Sequence, residues 1–531
     1  MNTMQHNRRE FMALLAASTI VVGIGGPAFA QTDPKSGGTL NVVMAGTPNT
    51  YDGHAATSIT DLTYIAPHYS TLLEFDAANY PEVKANAATE WNVSDDKLTF
   101  TFKLHDGILF HDGSKLVAED VKATYERLRK PPEGVVSARV ASFKNIASIE
   151  APDETTVVFH MTEPQAGMLE TFASPWNLIY SAKQLAQDPT SPAKTVMGTG
   201  PFVFVEHVQG SHWIGKRFED YFRKDQPYLD GFRIITVDGP GAVNAIASGQ
   251  ADANLRIITP PQRDRIQQAR GDKTVFQVAE SGTVNMIVVN TKRKPFDDPR
   301  VRRALDLAID RKTGQENLSK ITSAGYIGTI LRPGHPYALK AEELAELPGY
   351  GPDMEARRAE AKRLLEEAGV PGLKLRFVNR NIQDPYQIIG VFVVDQWRQI
   401  GVQAEMVPVD NAAYFQALRG GDFDVAYDLN APPSDDATDA LQKYIGNSPA
   451  NYSGLIDPEA QKLFDAQRRE LDPAKREALV KELQKLIMSQ SAFLHLFRGE
   501  RIVALPADLR GYTLTPSFYV GLDLAGLWFD R

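Results

Sequence analysis

Apolar and polar residues alternate over long parts of the first third of the chain, and a period of two predicts β-strands. Residues 40–45 are mostly apolar and predict a buried strand, which a turn-rich loop follows at 47–53. The clearest alternation places four apolar side chains on one strand face: Leu98, Phe100, Phe102 and Leu104. A similar run at 157–161 follows a turn, so this region predicts antiparallel sheet.

Helical spacing appears first at 118–128 and dominates the second half of the chain. Asp298 followed by Pro299 predicts a helix start, because the carboxylate can cap and proline suits the first helical position. A helix predicted at 354–368 ends before Gly369. The next segments predict alternating strands and helices: 375–378, 386–400, 404–407, 412–419 and 425–429. This alternation indicates parallel βαβ units.

Length and composition narrow the classes of protein. The chain has 531 residues, of which 43% are hydrophobic, and this is enough for more than one core. Its net charge of -9 argues against nucleic-acid binding, which needs clustered cations. It has no cysteine, so disulfides, thiolate chemistry, cysteine-based metal sites and an N-terminal lipidated cysteine are excluded.

Residues 1–30 predict a signal peptide, and the mature protein is expected in the periplasm. Arg8 and Arg9 supply positive charge, 12–25 supply a short apolar stretch, and 28–30 read AFA before the expected cleavage site. The apolar stretch is short for a membrane span of about 20 residues. Residues 7–12 read NRREFM and resemble a twin-arginine export signal, although Sec export stays open.

No catalytic motif is found, which predicts that the protein is not an enzyme and needs no cofactor. The sequence contains no Gly-x-Ser-x-Gly elbow, no His-Glu-x-x-His and no complete phosphate-binding loop of the form Gly-x-x-x-x-Gly-Lys-Ser/Thr. His105 and His111 flank a turn and are conceivable metal ligands, but ordinary packing explains them better. The ten histidines form no recognisable zinc or nickel spacing.

Several motifs in a fixed order resemble a known family, the peptide/nickel/oligopeptide class of ABC transporter solute-binding proteins. Any one of them is weak, but their joint order covers nearly the whole mature chain. They read WNVSDDKLTFTFKL at 91–104, FHDG at 110–113, AEDV at 118–121, GTGPF at 198–202, DPRVRRAL at 298–305, AIDR at 308–311 and AKRLLEEAG at 361–369.

The resemblance implies an α/β fold of the two-lobed, type II periplasmic-binding-protein kind, with a ligand held between the lobes. Lobe I would comprise 31–75, 198–284 and 496–531, with an extra subdomain at 76–197, and lobe II would comprise 285–495. The chain would cross between the lobes near 285–290 and 495–501. The protein would act as a monomer, close around its ligand and deliver it to the membrane permease of an ABC importer.

The same resemblance implies which polar residues bind the ligand. In dipeptide-binding members an arginine precedes a helix ending Trp-x-x-Ile-Gly, and Arg380 lies at that offset before WRQIG at 397–401. Its guanidinium suits a carboxylate, although a solvated surface arginine is the structural alternative. An aspartate holds the ligand amine in those members, and the ungapped position here is Pro433. The nearby candidates are Asp435 first, then Asp436 and Asp428, and simple loop solvation is their alternative.

Aromatic side chains are expected to line the cleft, because ligand pockets are mostly apolar. The candidates are Tyr51, Trp176, Tyr427 and Phe497, and core packing would explain each of them equally well. A small peptide, an opine-like or other organic acid and a metal chelate all stay open as ligands. Two other functions also stay open: a secreted hydrolase on an α/β fold, and a sensor or chaperone on the same fold.

Overall fold

Three larger β-sheets, each with its own apolar core, organise the protein. The computed structural model describes residues 33–237, 239–446 and 448–531. The predicted signal peptide at 1–30 lies outside the described residues. One sheet lies in lobe I, one in the extra subdomain and one in lobe II, which matches the expected two-lobed α/β architecture.

The described chain enters lobe I through the strand predicted at 40–45, observed as β1 (Thr39–Ala45). Helix α1 (Ile59–Ile65) follows, and the hydroxyl of its N-cap residue Ser58 accepts a hydrogen bond from the Thr60 N–H at 3.2 Å. The short strands β2 (Leu73–Phe75) and β3 (Val83–Ala85) pair antiparallel and lead into the extra subdomain.

The alternating segment at 98–104 forms the centre of the extra subdomain. Its strands and helices are β4 (Ala88–Val93), β5 (Thr99–Leu104), α2 (Ala118–Arg129), α3 (Val140–Phe143), β6 (Ile146–Asp153), β7 (Thr156–Met161), α4 (Met168–Phe172) and α5 (Ala182–Gln187). The antiparallel sheet has the order β4-β5-β7-β6. Phe102 is fully buried and its ring centroid lies 5.6 Å from that of Phe159, whereas neighbouring Lys103 is exposed.

The chain then returns to lobe I and completes its sheet. The elements are β8 (Phe202–Val208), β9 (His212–Arg217), β10 (Gly231–Val237), α6 (Gly239–Ser248) and α7 (Pro260–Arg270). Strand β1 pairs in parallel with β10, and the sheet order is β1-β10-β9-β8. The parallel pairing explains why β1 is nearly all apolar, since helices and loops cover both of its faces.

Lobe II contains the alternating strands and helices that the second half of the sequence predicts. Its elements are β11 (Thr274–Val289), α8 (Pro299–Leu307), α9 (Arg311–Leu318), β12 (Ala324–Ile327), α10 (Ala341–Ala345), α11 (Met354–Glu367), β13 (Lys374–Arg380), α12 (Ile388–Arg398), β14 (Gln403–Val409), α13 (Asn411–Gly420), β15 (Val425–Asn430), α14 (Ala437–Leu441), α15 (Pro458–Arg469), α16 (Pro473–Ser489) and β16 (Phe493–Pro506).

The predicted parallel βαβ units are confirmed, within a mixed sheet of order β12-β16-β11-β15-β13-β14. Strand β13 pairs in parallel with both β14 and β15, whereas β11 pairs antiparallel with β15 and β16. The predicted caps hold as well: Asp298 accepts a hydrogen bond from the Arg300 N–H at 2.8 Å, and Gly369 follows α11 with φ of +74°.

Strands β11 and β16 cross between the lobes as one antiparallel ribbon. The Asn254 N–H of lobe I donates to the Ala504 carbonyl of β16 at 2.9 Å, while the other end of the ribbon joins the lobe II sheet. The register breaks between Glu280 and Val284, opposite Gly499. This break lies just before the crossing predicted at 285–290 and within the one predicted at 495–501. A last ribbon pairs β17 (Leu509–Arg510) with β18 (Trp528–Phe529).

In the described ranges, no helix has both the length and the apolar character that crossing a bilayer requires.

Candidate functional site

Arg380 lies at the carboxyl end of β13, where the loops of a parallel unit meet the space between the lobes. Its guanidinium carbon lies 4.5 Å from the centroid of the Tyr386 ring. Nε donates to the Asn411 side-chain oxygen at 2.7 Å, and Nη1 donates to the Tyr386 hydroxyl. These contacts fix the direction of the guanidinium and leave Nη2 without a partner among the described residues.

The three aspartates proposed from the sequence all have cationic partners. Asp435 receives three hydrogen bonds from Arg332, at 2.8, 3.1 and 2.7 Å. Asp436 caps α14 and pairs with Arg476 at 2.7 Å. Asp428 pairs with Lys443 at 2.9 Å. Their carboxylates therefore hold lobe II together, and the role predicted for Asp435 and Asp436 in binding a ligand amine stays a prediction.

Asp439, in the first turn of α14, is the carboxyl group that sequence reasoning missed. It accepts a hydrogen bond from the Ser434 hydroxyl at 2.5 Å and forms no ion pair with a described residue within 4.0 Å. The pKa of this carboxyl is raised to about 6, mainly by burial, and the neighbouring Asp436 carboxylate contributes to the rise. Arg139, from the extra subdomain, acts in the opposite direction across the space between the lobes.

Arg139 stacks on a tryptophan that the sequence analysis selected. The guanidinium carbon lies 4.4 Å from the centroid of the Trp176 ring, and Trp176 is only 2% exposed. Nη2 donates to the Ala56 carbonyl at 2.8 Å, whereas Nε is buried without a partner among the described residues. Burial lowers the pKa of Arg139 to about 10. The Trp176 ring also lies 5.5 Å from that of Tyr519, so Arg139, Trp176 and Tyr519 form an aromatic and cationic surface.

Arg256 extends this aromatic and cationic surface toward lobe II. Burial lowers the pKa of its guanidinium, and the nearby phenols of Tyr519 and Tyr386 act in the opposite direction. Tyr386 belongs to lobe II, so Arg256 faces the lobe that carries Arg380. These residues therefore face one another across the boundary between the two lobes. No sequence motif marked Arg139, Arg256 or Asp439, because they are distant in the chain and only the fold brings them together.

The other aromatic candidates pack within the lobes. The Tyr51 hydroxyl lies 2.7 Å from His207 Nδ1, and its ring packs on Trp213 at 5.4 Å. The Tyr427 hydroxyl donates to Asn285 at 2.7 Å, and its ring packs on Tyr386 at 4.9 Å. The Phe497 ring is fully buried, 5.7 Å from that of Phe392. Only Tyr427 touches a residue of the space between the lobes, and all three stay predictions as ligand contacts.

The two histidines considered as metal ligands pack against aromatic rings. The His105 ring lies 5.3 Å from that of Phe222, and the His111 ring lies 4.9 Å from that of Phe218. Burial lowers the pKa of both imidazoles. Among the residues at 33–237, 239–446 and 448–531, no cluster of three or more histidine or carboxylate side chains could hold a metal ion.

The lobes also touch away from this space. Glu163 of the extra subdomain accepts hydrogen bonds from Arg468 at 2.8 Å and from Arg469 at 2.7 Å, both at the end of α15. The Ala166 N–H donates to the Arg468 carbonyl at 2.8 Å. These contacts join the extra subdomain directly to lobe II.

Comparison with known sequences places this geometry in a family context. A profile of the middle region of the bacterial extracellular solute-binding proteins, family 5, matches residues 82–452. The chain is 26% identical to di/tripeptide-binding protein 1 of Pseudomonas aeruginosa (strain UCBPP-PA14) over 506 residues, which cover 89% of this chain and 91% of that protein. It is 27% identical to glutathione-binding protein GsiB of Salmonella typhimurium (strain LT2) over 459 residues, 84% of this chain and 86% of that protein.

Solved structures share the fold. The binding protein AgaA from A. tumefaciens R10, in complex with agropinic acid, superposes with a TM-score of 0.80 at 24% identity, covering 93% of this chain and 99% of that one. A dipeptide-binding protein from Pseudoalteromonas sp. SM9913, in complex with Met-Leu, gives 0.79 at 21% identity, with 92% and 100% covered. Both likenesses confirm the two-lobed fold.

Proposed function

Because the chain belongs to the bacterial extracellular solute-binding proteins of family 5, we propose that it is the receptor of an ABC importer. It captures a small peptide or another carboxylate-bearing solute between its two lobes and delivers it to the permease. The observation that carries the proposal is that the cleft presents two groups of opposite charge. One is the guanidinium of Arg380, and the other is the carboxyl of Asp439, which faces Arg139.

The chemistry of these groups suits an amino-acid-like ligand. The Arg380 guanidinium has a fixed orientation, and its Nη2 has no partner among the described residues, which suits binding of a carboxylate. Asp439 carries no cationic partner within 4.0 Å among the described residues, which suits an ammonium group. Di/tripeptides and glutathione, for which two relatives are named, carry both an ammonium group and a carboxylate. Agropinic acid, which is bound to a fold neighbour, carries an acidic group.

The receptor works by closure and not by catalysis. The bulged ribbon at Glu280–Val284, opposite Gly499, is the proposed hinge, because a register break is where paired strands bend. Signal-peptide export, by the twin-arginine route or by Sec, would place the mature chain in the periplasm, where it meets the membrane permease. The receptor is proposed to act as a monomer that binds one solute and releases it unchanged.

Thermal shift and scattering together test the receptor role. The mature protein is melted in the presence of a library of di- and tripeptides, glutathione, opines and organic acids. A solute present at 100 times its dissociation constant should stabilise the protein by about 2.7 kcal/mol. Small-angle scattering of the same mixture should show compaction. The absence of a stabilising solute, together with an unchanged radius of gyration, would count against the receptor.

A further inference from the structure

Arg256 is a largely enclosed cation with few partners. It donates one hydrogen bond through its guanidinium, from Nη1 to the Thr60 hydroxyl at 3.2 Å. No carboxylate of the described residues lies within 4.0 Å of it. The charged or polar groups that act on its pKa are the phenols of Tyr519 and Tyr386, and burial has the larger effect. A guanidinium has five N–H donors, so most of those of Arg256 have no acceptor within the part of the chain that the structure describes.

A neighbouring arginine shows what a structural guanidinium looks like in this fold. Arg501 is also without a carboxylate, but its donors reach the backbone carbonyls of Thr515 at 2.7 Å, Ser517 at 2.5 Å and Leu255 at 3.2 Å. Arg498 is surrounded in the same way by the carbonyls of Ser281, Gly282, Thr329 and Ile330. Arg256 lacks this ring of acceptors, although burial lowers its pKa as it lowers those of Arg498 and Arg501.

The position of Arg256 explains what could supply the missing acceptors. Its neighbour Tyr519 lies against Trp176, and its other neighbour Tyr386 is the ring on which Arg380 stacks. Both Arg256 and Arg380 lower the pKa of the Tyr386 phenol, against the effect of burial. The two arginines thus lie in the same part of the cleft, one from each lobe, and each keeps donors free.

We propose that Arg256 is a second anion-binding residue of the cleft, and that the solute carries two acidic groups, one held by Arg380 and one by Arg256. The inference rests on the proposed function and narrows its solute class. A solute with two carboxylates would bring acceptors to both guanidinium groups as the lobes close. A solute with one carboxylate would leave one arginine desolvated and unpaired, which is costly. Electrostatic complementarity of this kind gives specificity.

The first test uses matched pairs of probes that differ by one acidic group. Calorimetry compares Ala-Glu-Ala with Ala-Gln-Ala, and glutathione with its glycinamide, on the wild-type mature protein. We expect the acidic member of a pair to bind at least about tenfold more tightly than the amide. In Arg256→Gln that preference should fall to about twofold or less, because the amide and acid then meet the same neutral side chain.

The control is Arg265→Gln, an exposed arginine of α7 that bonds only to Asn244. It should keep the wild-type preference. Equal affinity for the acid and amide of a pair that binds, or an equal loss for both in Arg256→Gln, would overturn the inference while leaving the receptor role intact.

The second test does not depend on the choice of probes. Whatever solute co-purifies with the protein is treated with acidic methanol and weighed by mass spectrometry, since each carboxyl group gains one methyl. Two or more additions support the inference, and a single addition overturns it. If no solute co-purifies and no probe binds, the receptor role fails, and the inference fails with it.

Discussion

Arg332 holds Asp435 by three hydrogen bonds, of 2.8 and 3.1 Å from Nε and 2.7 Å from Nη2, and its Nη1 donates to Glu280 at 3.0 Å. Both side chains of the pair are about one-tenth exposed. The ion pair ties the loop after β15 to the proposed hinge strand β11. The arrangement gives Asp435 a structural task, whereas the sequence marked it as the first choice for a ligand amine.

The substitution Asp435→Asn therefore tests whether this carboxylate contributes to the stability of the fold or to solute binding. We expect the free energy of unfolding to fall by about 1–3 kcal/mol, because a largely buried charged hydrogen-bond pair is lost. Affinity for a solute identified by thermal shift should stay within about twofold, since the carboxylate is already occupied. Urea denaturation and calorimetry measure the two quantities. The exposed i,i+3 pair of Asp395 provides the control Asp395→Asn, which should change neither.

A tenfold loss of affinity in Asp435→Asn, without a loss of stability, would restore the residue to the binding site.

Arg380 ends strand β13, and its role as the residue that binds the ligand carboxylate stays a prediction. We expect Arg380→Ala to weaken a carboxylate-bearing solute by about 2–5 kcal/mol, the range for truncating one partner of a buried charged pair. Stability without solute should fall by about 1 kcal/mol at most, because the Arg380 side chain loses two hydrogen bonds, to Asn411 and the Tyr386 hydroxyl, and its stacking on the Tyr386 ring at a partly exposed position. Calorimetry measures the affinity, and Arg398→Ala, on the exposed end of α12, is the matched control. Unchanged affinity in Arg380→Ala would remove it from the site.

The sequence predicted the elements well because their signals are local. The alternation at 98–104, the caps at Asp298 and Gly369 and the strand–helix alternation after 375 each need only neighbouring residues to be recognised. Arg380 could be selected as a candidate because it ends a strand at a known offset from a motif. Arg139, Arg256 and Asp439 carry no local signal in the sequence, since each was selected for its interaction with residues of another lobe. The pairing of Asp435 was invisible for the same reason.

The raised pKa of Asp439, about 6, predicts a pH dependence of binding. Below this pH the carboxyl is protonated and loses its attraction for an ammonium group. Affinity for a solute with a free amine should therefore rise by about tenfold between pH 5 and pH 7, as expected for one group titrating near 6. Calorimetry across this range measures the slope. The N-acetylated form of the same solute should show a flat profile, and so should Asp439→Asn with either form.

The raised pKa of Asp439 also predicts how the stability of the solute-free protein changes with pH. The folded carboxyl binds its proton more tightly than the unfolded one, whose ordinary pKa is about 3.8. Between about pH 4 and pH 6 the folded state therefore binds more protons, and the contribution of Asp439 to stability falls as the pH rises. Asp439→Asn should remove that part of the decline in urea denaturation. An unchanged profile in both binding and stability would show that Asp439 titrates outside this window.

The contact between Glu163 and the two arginines at the end of α15 predicts how long a solute stays bound. The three side chains lie in the extra subdomain and in lobe II, so opening of the proposed hinge is expected to separate them. Partly exposed ion pairs contribute about 0.2–1 kcal/mol each. In Glu163→Gln we therefore expect the solute dissociation rate to rise by about twofold to tenfold, and the association rate to stay the same, because the solute enters the open form. Stopped-flow tryptophan fluorescence measures both rates.

The control for this prediction comes from the same subdomain. Glu150 is exposed and pairs with His160 on the neighbouring strand β7, so Glu150→Gln removes a carboxylate without touching lobe II. Its rates should match the wild type. Raising the ionic strength should increase the dissociation rate of the wild type toward that of Glu163→Gln, because exposed pairs are screened by salt. If Glu163→Gln slowed association and left dissociation unchanged, the contact would act in solute entry and not in holding the lobes closed.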